Sequence, residues 1–122
     1  MRLLDRFGPA ALASLVLATP AAAQVRRFDG NWSVEVVTEQ GACDRAYRYA
    51  VTIENGRARY GGQGSFDISG QVRPDGRVSG TIARGRDRAR VTGRLAGDRG
   101  MGTWIASGGR TCSGTWNAER RS

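Results

Sequence analysis

The chain has 122 residues, with 19 arginines, 11 acidic residues, no lysine and no histidine, for a net charge of +8. Without histidine there is no ordinary general base near neutral pH and no Ser-His or Cys-His pair, and without lysine there is no Schiff base. Imidazole metal ligands are excluded as well, and the scattered carboxylates lack calcium-loop spacing.

Residues 1–23 read as a cleavable signal peptide. Arg2 and Arg6 supply a positive start, Pro9 to Thr19 a short apolar run, and Ala21-Ala22-Ala23 the small residues of a cleavage site. The run is shorter than the roughly twenty apolar residues that cross a bilayer, so no transmembrane segment is expected in the mature protein. The expected mature chain, 24–122, holds 99 residues in a single domain, near the lower end of single-core folding. Its expected location is periplasmic or secreted. It carries 17 arginines against 10 acidic residues, a net of +7. Arginine without lysine is what codon bias in a GC-rich genome produces, yet the charge raises encounter rates with anionic partners whatever its origin. The partners it suits are an anionic envelope component or an acidic protein. Nucleic acid is disfavoured, because aromatics are few and export removes the usual target.

From Gln24 onward no stretch of helix length carries apolar residues at 3.6 spacing. Short alternating segments broken by turn residues predict an all-β domain instead. The first strand is expected at 30–38, with Trp32, Val34 and Val36 on one face. The second, at 45–54, alternates Tyr47, Tyr49, Val51 and Ile53 with Arg48, Ala50 and Thr52. Asn55-Gly56 is a two-residue hairpin turn, since both central positions of such a turn need positive φ. A short third strand at 57–61 leads through Gly61-Gly62-Gln63-Gly64 into the fourth at 65–73. Pro74-Asp75-Gly76 turns the chain into 77–83, Arg84-Gly85-Arg86-Asp87 into 88–96, Gly97-Asp98-Arg99-Gly100 into 101–106 and Ser107-Gly108-Gly109 into 110–118. The result is an antiparallel meander of about eight strands.

One five-residue phrase (apolar, Ser or Thr, Gly, any residue, apolar) recurs in this part of the chain. Its copies are Ile68-Ser69-Gly70-Gln71-Val72, Val78-Ser79-Gly80-Thr81-Ile82, Val91-Thr92-Gly93-Arg94-Leu95 and Cys112-Ser113-Gly114-Thr115-Trp116. Successive strand residues face opposite sides, so each copy puts apolar, Gly, apolar inward and the hydroxyl outward. Inward glycines mark bends or close backbone approach, which predicts a strongly coiled sheet. Cys43 and Cys112 are expected to form the single disulfide of an oxidising compartment. In an up-and-down meander they lie at the same end, after the first strand and at the start of the eighth. A flat sheet would hold them roughly 30 Å apart at about 4.8 Å per strand, whereas bridged Cα atoms lie within about 7 Å. The bond therefore predicts a closed up-and-down β-barrel.

Gly30-Asn31-Trp32 resembles the Gly-x-Trp that opens lipocalins, and the Ser/Thr-Gly-x-apolar strands resemble those of avidins. Both belong to the calycin group of small barrels. The resemblance implies a basic side chain near the last strand that covers the first-strand Trp32, a part for Arg110, Arg120 or Arg121. From Phe28-Asp29-Gly30 to the Cys-x-Gly-x-Trp and the arginine pair, the chain also resembles small secreted bacterial proteins of unassigned function. Neither likeness implies a ligand: the residues with which avidins read biotin do not map onto this chain.

Three groups of residues remain as candidate sites. Arg84, Arg86, Arg88, Arg90 and Arg94 cluster around one hairpin, with Arg88, Arg90 and Arg94 on its outer face; they are a candidate anion-binding patch or a solvated face interleaved with Asp87. Trp32, Trp104 and Trp116 are candidate pocket residues, with core packing the competing role. The many small inward side chains favour a narrow, filled interior. With no catalytic constellation and no cofactor motif, the expected function is that of an exported, non-enzymatic binding module for an anionic partner or a small ligand. The alternative is an inhibitor of a protease or of a lysozyme-like hydrolase.

Overall fold

Alternation of inward and outward residues runs through the strands of the computed structural model, which describes residues 24–62 and 66–122. The outward set is mostly polar, with Met101 and Ile105 of the seventh strand as exposed exceptions. The expected signal peptide and residues 63–65 of the glycine-rich connection lie outside the described residues. The elements are β1 (Gly30–Gln40), β2 (Ala46–Glu54), β3 (Arg57–Tyr60), β4 (Asp67–Val72), β5 (Arg77–Arg84), β6 (Asp87–Ala96), β7 (Arg99–Gly108) and β8 (Cys112–Arg120). Each strand pairs antiparallel with the next, and β8 returns to β1, so the sheet is a closed eight-stranded barrel. This architecture is consistent with a calycin-like fold. No described helix is long and apolar enough to cross a membrane.

Local chemistry explains the hairpins. Asn55 and Gly56 have φ of 52° and 75°, the paired positive values that a two-residue turn between right-twisted strands needs. Strands β6 and β7 extend beyond their expected ends. Gly97, at φ 60°, lets the chain reverse over Gly97 and Asp98 alone, so Ala96 pairs with Arg99 where a longer turn was expected from the sequence.

The seam between β1 and β8 pairs Trp32 with Arg120, Val34 with Ala118 and Val36 with Trp116, and a bulge interrupts it between Thr38 and Gln40. Just beyond the bulge the Cys43–Cys112 disulfide ties the two strands, with Cα atoms 6.1 Å apart. A strand edge is a template for pairing with other chains; here each strand has a neighbour on both sides, although the short β3 pairs with only residues 51–54 of β2 and 69–71 of β4.

One end of the barrel is stoppered. A turn over residues 24–28 lays Phe28 against the base, where Trp32, Ile53, Val72, Leu95 and Ala118 are buried with it. The Trp32 indole donates to the Phe28 carbonyl at 2.9 Å. The Asp29 carboxylate accepts from the Asn55 and Gly56 amides at 2.8 and 3.2 Å, so the hairpin turn and the stopper are one unit. Among the three arginines offered for the role, Arg120 covers Trp32. Its guanidinium carbon lies 5.0 Å from the ring centroid, and it donates to the Asp29 carbonyl at 2.7 Å and to Asp98 at 2.8 Å. Arg121 instead pairs with Glu119 on the surface, and Arg110 lies at the opposite end.

Arg120→Ala is expected to cost about 2 kcal/mol, from the lost cation–π contact and the backbone acceptor left without its charged donor. Arg120→Lys should recover only part of this, because an ammonium cannot stack and fork together. Urea unfolding checks both: the midpoint should fall with an unchanged slope, and equal stability of wild type and R120A would refute the role.

Candidate functional site

Inside the barrel lie the three tryptophans, each almost fully buried. Their positions follow from strand parity, and their orientations from backbone acceptors. Trp32 bonds to Phe28, Trp116 donates to the Thr92 carbonyl at 3.0 Å, and Trp104 donates to the carbonyls of Val37 and Thr115 at 3.1 and 3.2 Å. With every indole N–H committed to the backbone, the tryptophans present only ring surface to the interior.

Trp116 lies in a slot made by glycines. Gly93 and Gly102 pair directly across β6 and β7; a Cβ on Gly93 would fall 2.5 Å from the Trp116 ring, and one on Gly102 would fall 2.5 Å from its Nε1. Gly70 and Gly80 pair in the same way across β4 and β5, but no large side chain fills the space beside them. The inward glycines thus serve two ends, and the expectation of a filled interior is corrected on the β4–β5 side.

The space consists of two chambers end to end. The inner one, about 80 Å³, is walled by aliphatic side chains such as Val51, Ile68, Val78 and Leu95, by Trp32, and by the glycine pair of β4 and β5. The outer one, about 120 Å³, is lined by Trp104, Tyr47 and Phe66 and reaches Arg84, Asp87, Arg88 and Arg110. The chambers share Val34, Tyr49, Ile82, Val91 and Trp116 in their walls. Trp32 therefore lines the inner chamber, Trp104 the outer one and Trp116 both.

The mouth lies at the disulfide end, opposite the stopper. Arg84 closes the inward row Val78, Gly80, Ile82, Arg84 of β5, and its guanidinium carbon lies 4.9 Å from the Phe66 ring centroid. Phe66 also meets Tyr49 and Tyr60 edge-on, at centroid distances of 5.0 and 5.5 Å. Burial pushes the Tyr49 phenol up from its ordinary value, Tyr47 adds to the shift, and the Arg84 charge pulls against it. Asp87 holds Arg110 at 3.4 Å, which leaves Arg84 and Arg88 as the lip charges with no ion-pair partner among the described residues.

The five-arginine cluster expected from the hairpin divides accordingly. Arg84 points to the mouth and Arg86 occupies the turn, while Arg88, Arg90 and Arg94 stand exposed on the outer face of β6. Arg88 alone belongs to both settings. Tyr47, Tyr49 and Phe66 were not singled out by sequence as site residues, and Arg110, offered as a cover for Trp32, stands at the mouth instead. Parity offered a signal for the two tyrosines and for Arg84. Phe66 and Arg110 fall within the strands expected at 65–73 and 110–118, but the observed β4 and β8 begin only at Asp67 and Cys112, so alternation does not govern where these two side chains point. Compared with models of protein families, with curated proteins and with solved structures, the chain finds no match.

Proposed function

We propose that this protein is a non-enzymatic binding barrel for a small amphipathic anion, a single ring or short acyl chain bearing a carboxylate or similar group. The observation that carries the reading is the apolar cavity that deepens away from an arginine-bearing mouth. An apolar cavity of about 150 Å³ stays dry and accepts benzene, and two joined chambers of about 80 and 120 Å³ offer room of that order. Apolar burial supplies affinity inside, and guanidinium groups fork onto the charged head at the lip. The disulfide supports an oxidising location, periplasmic or secreted.

Titration with hexanoate and 1-hexanol, followed by tryptophan fluorescence, tests the reading. Hexanoate should bind at least about tenfold more tightly than the alcohol, the equivalent of about 1.4 kcal/mol for the head group. Arg84→Ala with Arg88→Ala should remove most of that preference, and Val34→Phe, which fills the shared wall of the chambers, should abolish binding of both. No binding of either probe, or equal binding before and after the arginine substitutions, would overturn it.

A further inference from the structure

The repeated phrase has a second face. Its inward half builds the cavity wall, while its outward half, Ser69, Ser79 and Thr92, comes from three adjacent strands. Register aligns these hydroxyls into rows across the sheet. One row runs Arg57, Gln71, Ser79, Thr92, and the next runs Arg59, Ser69, Thr81, Arg90. Between them they floor a groove of about 660 Å³ with short hydroxyl and amide side chains. Arginines rise at its margins on β3 and β6, three strand spacings or about 14 Å apart.

A second hollow continues the first along the strands, sharing Gln71, Ser79 and Thr92 and adding Arg73, Arg77 and Arg94. No acidic side chain lines either part. Arg59 and Arg77 reach acids beyond the margin, Glu54 at 3.2 Å and Asp75 at 3.7 Å. Arg57 and Arg90 have no ion-pair partner among the described residues. Across the barrel Glu35 pairs with Arg48 and Glu119 with Arg99, while on this face Asp67 stands outward on β4 in the next row, with Ala83 and Arg88, beyond the lining of the groove. The face is therefore strongly positive, polar and hydroxyl-rich.

We propose that this outer groove binds a linear acidic polysaccharide bearing carboxylates. Guanidinium forks match carboxylates in pairs, and a floor of hydroxyls and an amide matches the hydroxyls of the sugar rings. Single-stranded nucleic acid asks for aromatic platforms beneath its bases, and no aromatic side chain lines the groove. This site is separate from the cavity and does not depend on it.

Isothermal titration at low and high salt with an alginate hexamer, with uncharged dextran and oligo(dT) as comparison probes, provides the test. The hexamer should bind, dextran should not, and affinity should fall as salt screens the charges. The double variant Arg57→Ala, Arg90→Ala should weaken hexamer binding at least tenfold. The double variant Arg48→Ala, Arg99→Ala removes the same charge from the other side and should change binding less than twofold. Val34→Phe should leave it unchanged, which separates this site from the cavity. Absence of hexamer binding, equal losses in the two arginine doubles, or tighter binding of oligo(dT) would each overturn the proposal. All the substituted arginines are exposed, so circular dichroism should show an unaltered fold in both doubles.

Discussion

Replacing both Cys43 and Cys112 by alanine is expected to lower stability by about 4 kcal/mol, through the entropy that the bond removes from an unfolded loop. The bond joins residues 69 apart in sequence, so it restricts the unfolded chain across most of the domain. It also crosses the seam where the last strand meets the first, the pairing with the greatest sequence separation and hence the greatest closure cost. Alanine is the better replacement, because Cys112 is only 3% exposed and a buried serine hydroxyl would add a desolvation penalty of its own. For a domain of this size the loss corresponds to a fall in Tm of about 15–30 °C, at roughly 4–8 °C per kcal/mol. Thermal unfolding of the double variant, and of wild type with and without reductant, measures it. A loss below about 1 kcal/mol would show that the seam's hydrogen bonds and packing hold the barrel shut without the covalent tie.

The second large effect is expected at Gly102. A methyl group there would lie 2.5 Å from Trp116 Nε1 and 2.7 Å from the Cα of Gly93, and would also strike the Thr92 carbonyl. Two of these three obstacles are backbone, and the third is an indole held by its own bond to Thr92 at 3.0 Å. The side chain cannot move without losing that bond and its burial. Gly102→Ala should therefore cost about 3 kcal/mol or more, combining overpacking with partial expulsion of a core tryptophan. Gly85→Ala is the comparison: its φ is +62° but nothing lies within 4 Å of a Cβ there, so only backbone strain of about 1 kcal/mol is expected. Urea unfolding ranks the two, and a red shift of tryptophan emission in the Gly102 variant would report the indole leaving its slot. Equal losses at the two positions would mean that the glycine slot does not hold Trp116.

Much of the barrel was legible because its determinants are local. Alternation along β2 and β6 named the inward residues, Asn55-Gly56 and Gly76 named reversals, and the two cysteines implied that the ends of the meander meet. The candidate site was legible only in part. Strand parity placed Trp32, Trp104 and Trp116 inside, but their ring directions depend on the carbonyls of Phe28, Val37, Thr115 and Thr92, which other segments supply. The arginine cluster looked like one patch because its members are close in sequence, yet a turn and a change of parity send Arg84 to the mouth and Arg90 to the outer face.

Strand number, the places where the chain reverses (though not the length of the β6–β7 turn) and closure are properties that the amino-acid sequence determined alone, since they rest on period-two alternation, on residues that tolerate positive φ and on one covalent link. Tertiary structure decided which arginine covers Trp32, that the glycines of β6 and β7 receive an indole while those of β4 and β5 border open space, and that the hydroxyls of three separate phrases share one groove. Each of these depends on which residue stands opposite on a neighbouring strand. That register is settled when the whole sheet coils and its first and last strands pair.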